Sequence, residues 1–464
     1  MRVVPEASLS FALKTATPRW ISSDADLSEL RKTAFTALQK IGLPHSGSED
    51  FTFIRVGEFL PHLGPPVDAA AQRGSENPSL EIIQSLIFPE SRESYIVLVD
   101  GSYAANLSKP GDGYHVSALG THLPSALLAT LEEETDAAAA LATLFARQPL
   151  LIEIATKAVS LTPLQILHYR TNAPAQVAVT SDGKVGNRCD AFVVIHAGKL
   201  SESRLLVRHT EASGAPEADA MINVHTLALL EEGASLQFME SGSEAENRTI
   251  HFRKLTARLE RSSCLTTVSA HTGSRLMRNS FSVDLMGEGA EAEINGATVL
   301  TEHRQSHNFL RIRHLVPHCT SRQHFKSVAA DTSRSSVDGT IIVARDAQGT
   351  NAYQLINNLM LSDEARTDSK PQLMIHADDV KCSHGATTGK LDPTQQFYLE
   401  SRGLNPMQAR TLMTVAFIAE ILDKVGTVEA KENATATSFR SALDHALLDT
   451  LKLKLPTGIG GAHA

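Results

Sequence analysis

The hydrophobic pattern divides the chain into two helical ends and a long strand-rich middle. Apolar residues recur at helical spacing from Asp24 to Ile41 and again from Ser125 to Arg147. From about Gln165 the pattern alternates as in strands, in runs such as QVAVT, FVVIHAG, RLLVRH, FLRIRHLV, TIIVAR and LMIHA. Gly, Asn, Asp or Ser bounds most runs, and no long helical pattern interrupts them. The middle is therefore predicted to be β structure without helical crossovers.

Helical signals return after residue 390. Start and stop residues predict three helices: one from Asp392 and Pro393 to Gly403, one from Asn405 and Pro406 to Gly426, and one from about Thr437 to Leu453. Such a small bundle has too little core of its own. We expect it to pack on the β region or on a partner.

Three architectures fit the β region: a sandwich, a barrel or a solenoid. Two similar segments, LLEEGASLQF and LMGEGAEAEI, hint at an internal repeat. Turn residues every 15 to 25 positions would suit the coils of a β-helix. The pattern by itself leaves all three open.

Composition narrows the classes of function. The 464 residues carry 43 bases and 52 acids, a net charge of -9, with the bases scattered, so nucleic acid is not an expected partner. No apolar run reaches the roughly 20 residues of a membrane span. The first twenty residues do not resemble a secretory signal, although an organellar presequence is an alternative. The cytoplasm is the expected location.

Cysteine usage points to free thiols. Four cysteines, Cys189, Cys264, Cys319 and Cys382, are widely spaced and form no CxxC pair. This spacing is typical of a reducing compartment and encodes no closed zinc site. A metal role would need a few ligands, or ligands shared with another chain.

The strongest chemical candidate is the segment DDVKCSHGATTGK, Asp378 to Lys390. Cys382 and His384 are two residues apart after an alternating apolar run, so in an extended strand both would project from one face. A thiolate and an imidazole on one face could reach one metal ion or one cluster. A buried apolar cysteine and a structural histidine are the simpler interpretation of the same pair.

Other candidates are weaker. His303, His307, His314 and His318 form the densest histidine set, but FLRIRHLV alternates like a strand, which would scatter the rings over different faces. The segment GATTGK, Gly385 to Lys390, lacks the spacing of a phosphate-binding loop and is predicted to be a polar turn. No hydrolase, Rossmann or paired-carboxylate motif is present, so no catalytic residue is assigned.

A longer sequence segment around the Cys-His pair resembles a known protein family. From Gln354 to Leu404 the sequence closely resembles the carboxyl-terminal signature of SufD proteins of the iron-sulfur cluster assembly machinery. The segments His307 to Val328 and Val337 to Gln354 resemble the preceding part of that family. Towards the amino end the resemblance thins to patches such as Ile41 to Phe53.

The resemblance implies a fold and a function. It implies a mainly β protein with a right-handed parallel β-helix core at residues 161–390, between a mostly helical domain at 1–160 and a helical domain at 391–464. It also implies a non-catalytic scaffold that pairs with a SufB-like homologue and docks a SufC-like ATPase through the carboxyl-terminal helices. ATP would then act only through the ATPase. A homodimer is possible without the homologue.

The resemblance also assigns site residues. His384, as a metal ligand, and Cys382 would face the SufB interface and help hold a nascent, transient iron-sulfur cluster. A SufB-like scaffold is the nearest alternative, although the text KCSHGAT and the lack of a cysteine cluster favour SufD. A polysaccharide-degrading β-helix enzyme is the alternative from another class.

Overall fold

In the computed structural model the chain is mainly β, with 45% strand and 27% helix. The structure describes residues 6–22, 24–68, 78–120, 125–160, 162–171, 176–180, 183–212, 220–242, 249–425 and 439–451. No helix in these ranges combines the length and the apolar character needed to cross a bilayer.

Helices lie at both ends of the chain. They are α1 Glu6–Ser22, α2 Ser28–Ile41, α3 Leu80–Leu86, α4 Ser125–Glu132, α5 Ala137–Phe145, α6 Pro393–Ser401, α7 Pro406–Leu422 and α8 Phe439–Thr450. The strands are β1 Pro66–Asp68, β2 Tyr95–Val99, β3 Ser102–Tyr103, β4 Tyr114–Ala118, β5 Leu150–Ile154, β6 Leu164–Arg170, β7 Gln176–Thr180, β8 Gly183–Ala197, β9 Glu202–Glu211, β10 Ala220–Leu230, β11 Ser235–Gly242, β12 Thr249–Leu259, β13 Cys264–His271, β14 Leu276–Leu285, β15 Glu291–Leu300, β16 Gln305–His314, β17 Thr320–Ala329, β18 Arg334–Val343, β19 Thr350–Met360, β20 Arg366–Ile375 and β21 Val380–Gly389.

Successive strands alternate between two sheets. From β8 onward the even-numbered strands stack in parallel in the first sheet, in the order β8-β10-β12-β14-β16-β18-β20, and the odd-numbered strands do so in the second, from β9 to β21. One pass through both sheets takes about 29 residues, because Gln305 pairs with Arg334 and Glu291 pairs with Thr320. The result is a parallel β-solenoid of about 6 turns, which confirms the predicted β-helix core.

The interior between the two sheets holds the main core. Strand alternation directs every second residue inward, and leucine, isoleucine, valine and phenylalanine fill these rows. Leu265, Ile294 and Leu310 are fully buried members of this one cluster. Parallel strands that are covered on both faces are expected to be apolar throughout. This solenoid also buries many polar side chains, described below.

One turn is repeated along the solenoid. The residue with positive φ before a strand of the second sheet is Leu200, Gly233, Ser262, Gly289, His318 and Gly349 in six successive coils. Glycine adopts this left-handed conformation at little cost, whereas a side chain makes it unfavourable. The two similar segments noted in the sequence contain Gly233 and Gly289, which occupy this turn two coils apart. Their likeness therefore reflects a true structural repeat.

Helices α1, α2, α4 and α5 pack on the outer face of the first sheet, whereas Ile83 of α3 packs on β2 and β6 of the second. The sequence predicted one helix from Ser125 to Arg147, but the structure contains two, α4 and α5. Asp136 interrupts the helix because its carboxylate accepts the backbone N–H of Ala138 at 2.9 Å and caps α5. The same carboxylate forms a buried ion pair with Arg278 of β14, and Glu134 forms another with Lys254 of β12.

The structure confirms most of the predicted limits of the carboxyl-terminal helices. Asp392 caps α6 by accepting the N–H of Thr394 at 2.8 Å, and Asn405 forms a capping box with Gln408 at the start of α7. Helix α7 ends at Leu422. Gly426, Thr437 and Leu453, the other predicted helix limits, lie outside the described residues.

Two of these helices pack on the β region, as expected. Ile418, Ile421 and Leu422 of α7 and Leu443 of α8 share one buried cluster with Val328 of the second sheet. The predicted domain limits at residues 160 and 390 stay predictions. Strands β2 and β5, from the first 160 residues, already pair with β6 and β8 of the solenoid.

Candidate functional site

The segment with Cys382 and His384 is the last strand of the solenoid. Strand β21 pairs in parallel with β19, which places Cys382 beside Ala352 and His384 beside Gln354. In the described part of the chain no further strand pairs with the other edge of β21, and β20 likewise ends the first sheet. The pair therefore lies at an open end of both sheets.

Cys382 and His384 project from the same face of β21, as the spacing predicted. Their register partners Ala352 and Gln354 are buried, and Ile356 on the same face of β19 belongs to the interior core. This face of β21 therefore continues the inward rows of the solenoid. At the last coil no later strand among the described residues covers these rows, and His384 is exposed to solvent while Cys382 is half-buried.

The two side chains differ in environment. Cys382 packs against a small apolar cluster that includes Ile341, Val343 and Ala352. Burial raises the pKa of its thiol, and a backbone hydrogen bond near Ala352 partly offsets that increase. The free thiol is therefore protonated at neutral pH, and binding to a soft metal would release its proton. His384, in contrast, presents an accessible imidazole.

The last strand also corrects the interpretation of GATTGK. Residues 385–389 are part of β21 and therefore extended, not a turn. Thr388 continues an inward row, where its hydroxyl accepts a hydrogen bond from the amide of Asn358 at 3.2 Å. An extended strand offers no cradle of converging N–H groups for a phosphate. The segment is thus a structural part of the last coil.

The structure does not bring the four-histidine set together. His314 points into the solenoid and contacts Ser321 at 2.8 Å, whereas His307 lies on the opposite face of β16 and contacts Ser336 at 2.8 Å. Burial lowers the pKa of His314 to about 4 and that of His307 to about 3.

The remaining two histidines of that set lie in turns. His303 hydrogen-bonds Thr332. His318 occupies the repeated left-handed turn, with a φ of 58°. Within the described ranges no group of three or more His, Cys, Asp or Glu side chains is arranged to hold a metal ion.

A buried polar network inside the solenoid was not foreseen from the sequence. Glu240 contacts His209 at 2.8 Å and Arg253 at 3.3 Å, and Arg253 contacts His271 at 3.0 Å. Burial alone would raise the pKa of Glu240, but Arg253 and His209 hold it well below its usual value. These residues come from three successive coils, so only the register reveals their contact.

The comparisons with known proteins agree with this fold. Residues 181–417, more than half of the chain, match the family described as "SUF system FeS cluster assembly, SufBD core domain". The chain is 30% identical over 353 residues to the iron-sulfur cluster assembly protein SufD of Escherichia coli, covering 74% of this chain and 77% of that protein. It is 26% identical over 418 residues to an iron-sulfur cluster assembly SufBD family protein of Synechocystis, covering 87% and 88% of the two chains.

A plant relative is also similar over a shorter stretch. The chloroplastic protein ABCI7 of Arabidopsis thaliana is 34% identical over 187 residues, which covers 40% of this chain and 39% of that protein. The match to the family covers the solenoid from β8 to β21 and reaches into α7. The chain belongs to the SufB/SufD family of iron-sulfur cluster assembly proteins.

Proposed function

We propose that this protein is a SufD-type, non-catalytic scaffold subunit that pairs with a SufB-like homologue across the open end of its solenoid. The observation that carries the proposal is the exposed position of His384, on an inward row of a coil that no further strand of the described residues covers. The similarity to E. coli SufD over three quarters of the chain and the text KCSHGAT support the SufD type over the SufB-like alternative. No observation favours the polysaccharide-degrading enzyme.

The open end has the properties of a surface that a partner covers. Within the described ranges, strands β20 and β21 each leave one row of backbone N–H and C=O groups without a strand partner, and such edges readily pair with another chain. Tyr353, Leu355 and Met374 are large side chains exposed near this edge, Met374 by 47%. A homologous solenoid would extend both sheets and cover these side chains. A second copy of this chain is the competitor for the same edge.

The nascent iron-sulfur cluster would be bound transiently at this interface and then passed on. His384 would supply an imidazole ligand, and Cys382, after losing its proton, a thiolate, while the homologue would supply the remaining ligands. Both donors lie on one face of one strand, two residues apart. Their partial exposure allows iron and sulfide to reach them before the interface closes.

The ATPase would dock on the carboxyl-terminal helices. Helix α6 has no buried residue, and its Phe397 and Tyr398 are 71% and 57% exposed. Exposed aromatic residues of this kind are typical anchors in protein interfaces. Helix α7 behind them is fixed to the solenoid, because its Glu420 pairs with Lys326, and Lys424, in the turn that follows α7, pairs with Glu293. A movement of the ATPase could thus be transmitted to β15 and β17.

The test is reconstitution of a cluster on the co-expressed complex of this chain with its SufB-like and SufC-like partners. We expect His384→Ala to lower the rate of cluster formation strongly without changing the subunit composition. His376→Ala is the matched control, because His376 is also exposed and lies in the loop between β20 and β21. Wild-type rates in His384→Ala would refute the assigned role, and absence of both partners from the purified complex would refute the scaffold.

Docking of the ATPase has its own test. The double substitution Phe397→Ser and Tyr398→Ser is expected to remove the ATPase from the purified complex while the SufB-like subunit stays bound. Gln395→Ser on the same helix is the matched control. Unchanged recovery of the ATPase with the double variant would exclude α6 as the docking site. The expected cytoplasmic location would be tested by fractionation of the native host.

A further inference from the structure

A row of polar side chains leads from the solenoid interior to His384. Gln323 of β17 is the register partner of Gln354 of β19, and Gln354 is the register partner of His384. Both glutamines are buried, 2% and 3% exposed, whereas His384 is exposed. Three successive coils thus place two amides directly behind one imidazole.

The hydrogen bonds of this row are incomplete at the end that faces His384. The side-chain Nε2 of Gln354 donates to Oε1 of Gln323 at 2.8 Å. The donor group of Gln354 is therefore directed at the preceding coil. The Oε1 of Gln354 is buried and has no hydrogen-bond partner among the described residues. A buried acceptor left unpaired costs free energy, roughly 1 to 3 kcal/mol. The next coil offers the donor that is missing, a ring N–H of His384.

The opposite sheet is adapted to hold this amide. Gly339 of β18 lies against Gln354, and a Cβ at Gly339 would be 1.9 Å from Nε2 and 2.9 Å from Cδ of that glutamine. Any other residue at this position would displace the Gln354 side chain. The interior therefore contains a space that fits this amide at the level of the last coils.

We propose that Gln354 is a positioning residue: its unpaired Oε1 accepts a hydrogen bond when a ring nitrogen of His384 turns towards it, and this bond fixes the tautomer of the ring. The inference rests on the proposed role of His384 as a ligand. A neutral imidazole has one N–H and one free lone pair, and the hydrogen bond of one nitrogen decides which nitrogen binds the metal. Outer partners of this kind orient metal-binding histidines in many proteins. Gln354 would hold the ring with its free nitrogen towards the open end.

The first test measures the imidazole directly. The chain is prepared with isotope-labelled histidine, and the ring-nitrogen shifts of His384 are assigned by their loss in His384→Ala. We expect one tautomer in the wild type and in Gln354→Glu, since both keep an acceptor, and a mixture of two tautomers in Gln354→Leu. Ile356→Val, the neighbouring inward position of β19, is the control for a general loosening of the interior. It should leave the single tautomer unchanged.

The second test measures cluster formation on the co-expressed complex. We expect Gln354→Leu to slow it by about tenfold, and Gln354→Glu to restore most of the rate. If His384→Ala slows cluster formation but Gln354→Leu changes neither the tautomer nor the rate, the positioning role is wrong and the proposed function stands. If His384→Ala has no effect on the rate, the proposed function is wrong.

Discussion

The middle and the last coil of the solenoid are built from the same unit but differ in what covers them. Every residue of β12 is buried, although its sequence TIHFRKLTARL contains a histidine, a lysine and two arginines. Every residue of β21 is exposed or half-buried, although VKCSHGATTG has a single charged residue, Lys381. Burial in this protein therefore follows the position of a strand in the stack more than its composition.

Polar residues also have different surroundings in the middle coils and in the last coil. In the middle coils, charged groups are buried as pairs, such as Lys254 with Glu134 and Arg278 with Asp136, which fix the amino-terminal helices to the first sheet. In the last coil, no further strand of the described part of the chain pairs with β20 or β21, so the polar rows of these strands end at an open edge. The buried pairs fix how the helices pack on the first sheet, whereas the open polar rows are the surface that, in our proposal, the homologue covers.

Acidification should give the largest difference between the two regions. Burial lowers the pKa of four histidines of the covered coils well below 6.5, to about 4 for His209, His225 and His314 and to about 3 for His307. The unfolded chain then takes up protons at a higher pH than the folded chain. Stability is therefore full above pH 6.5 and falls as the pH approaches 4, by on the order of 1 to 2 kcal/mol per histidine at pH 5.

Urea unfolding between pH 8 and pH 5 measures this loss. Hydrogen exchange at each pH should show it in β9 to β16, where these histidines lie, before β20 and β21. A free energy of unfolding that stays constant from pH 7 to pH 5 would contradict the neutral, buried state of these rings.

The second prediction removes one buried charge. Burial would raise the pKa of the Asp136 carboxyl, but Arg278 and Lys254 hold it below its usual range, so Asp136 is ionised. Asp136→Ala leaves Arg278 buried without its counter-ion and removes the cap of α5. We expect a loss of about 3 to 5 kcal/mol in urea unfolding. Asp363→Ala, which removes the exposed partner of Lys390, is the control and should not change the unfolding midpoint.

The third prediction compares two glycines of neighbouring coils. Gly339→Ala places a methyl group against Gln354 in the interior and should cost about 1 to 3 kcal/mol. Gly389→Ala, at the end of β21, meets no atom within 4 Å and should not lower the free energy of unfolding. Equal unfolding free energies for the two variants would mean that the interior near Gln354 yields as easily as the surface.

The smallest effect on folding is expected at the open end. Met374 is exposed on β20, so Met374→Ser should leave the unfolding transition of the isolated chain unchanged. It should nevertheless weaken binding of the SufB-like homologue, which analytical ultracentrifugation of the mixed subunits would measure. A change in folding without a change in binding would show that this side chain supports the coil itself.

Local signals in the sequence predicted the elements well. Alternation predicted the strands, and the caps Asp392 and Asn405 predicted the starts of α6 and α7. The break between α4 and α5 was also encoded, since Asp136 is a strong N-cap residue, but the alanine-rich pattern on both sides suggested one helix. The same-face placement of Cys382 and His384 followed from their spacing alone.

The contacts across coils could not be predicted in this way. Lys254 and Glu134 are 120 residues apart in the sequence, and their pairing depends on which coil α4 and α5 cover. Gln354 lies behind His384 only because β19 and β21 pair in one particular register. A shift by one residue would turn both rows outward. Contacts between coils depend on the register of all the stacked strands, so no short segment of the sequence predicts them.

Because the stacked coils are nearly equal, the number of coils sets the length of the solenoid along its axis. Neighbouring strands of a sheet are about 4.8 Å apart, so each coil of about 29 residues adds one fixed step between the helices at the amino-terminal end and the donors at the far edge. Duplication or deletion of one complete coil would change that separation by one step and leave every inward row in register. The separation between the two ends of the solenoid can therefore change only by whole coils.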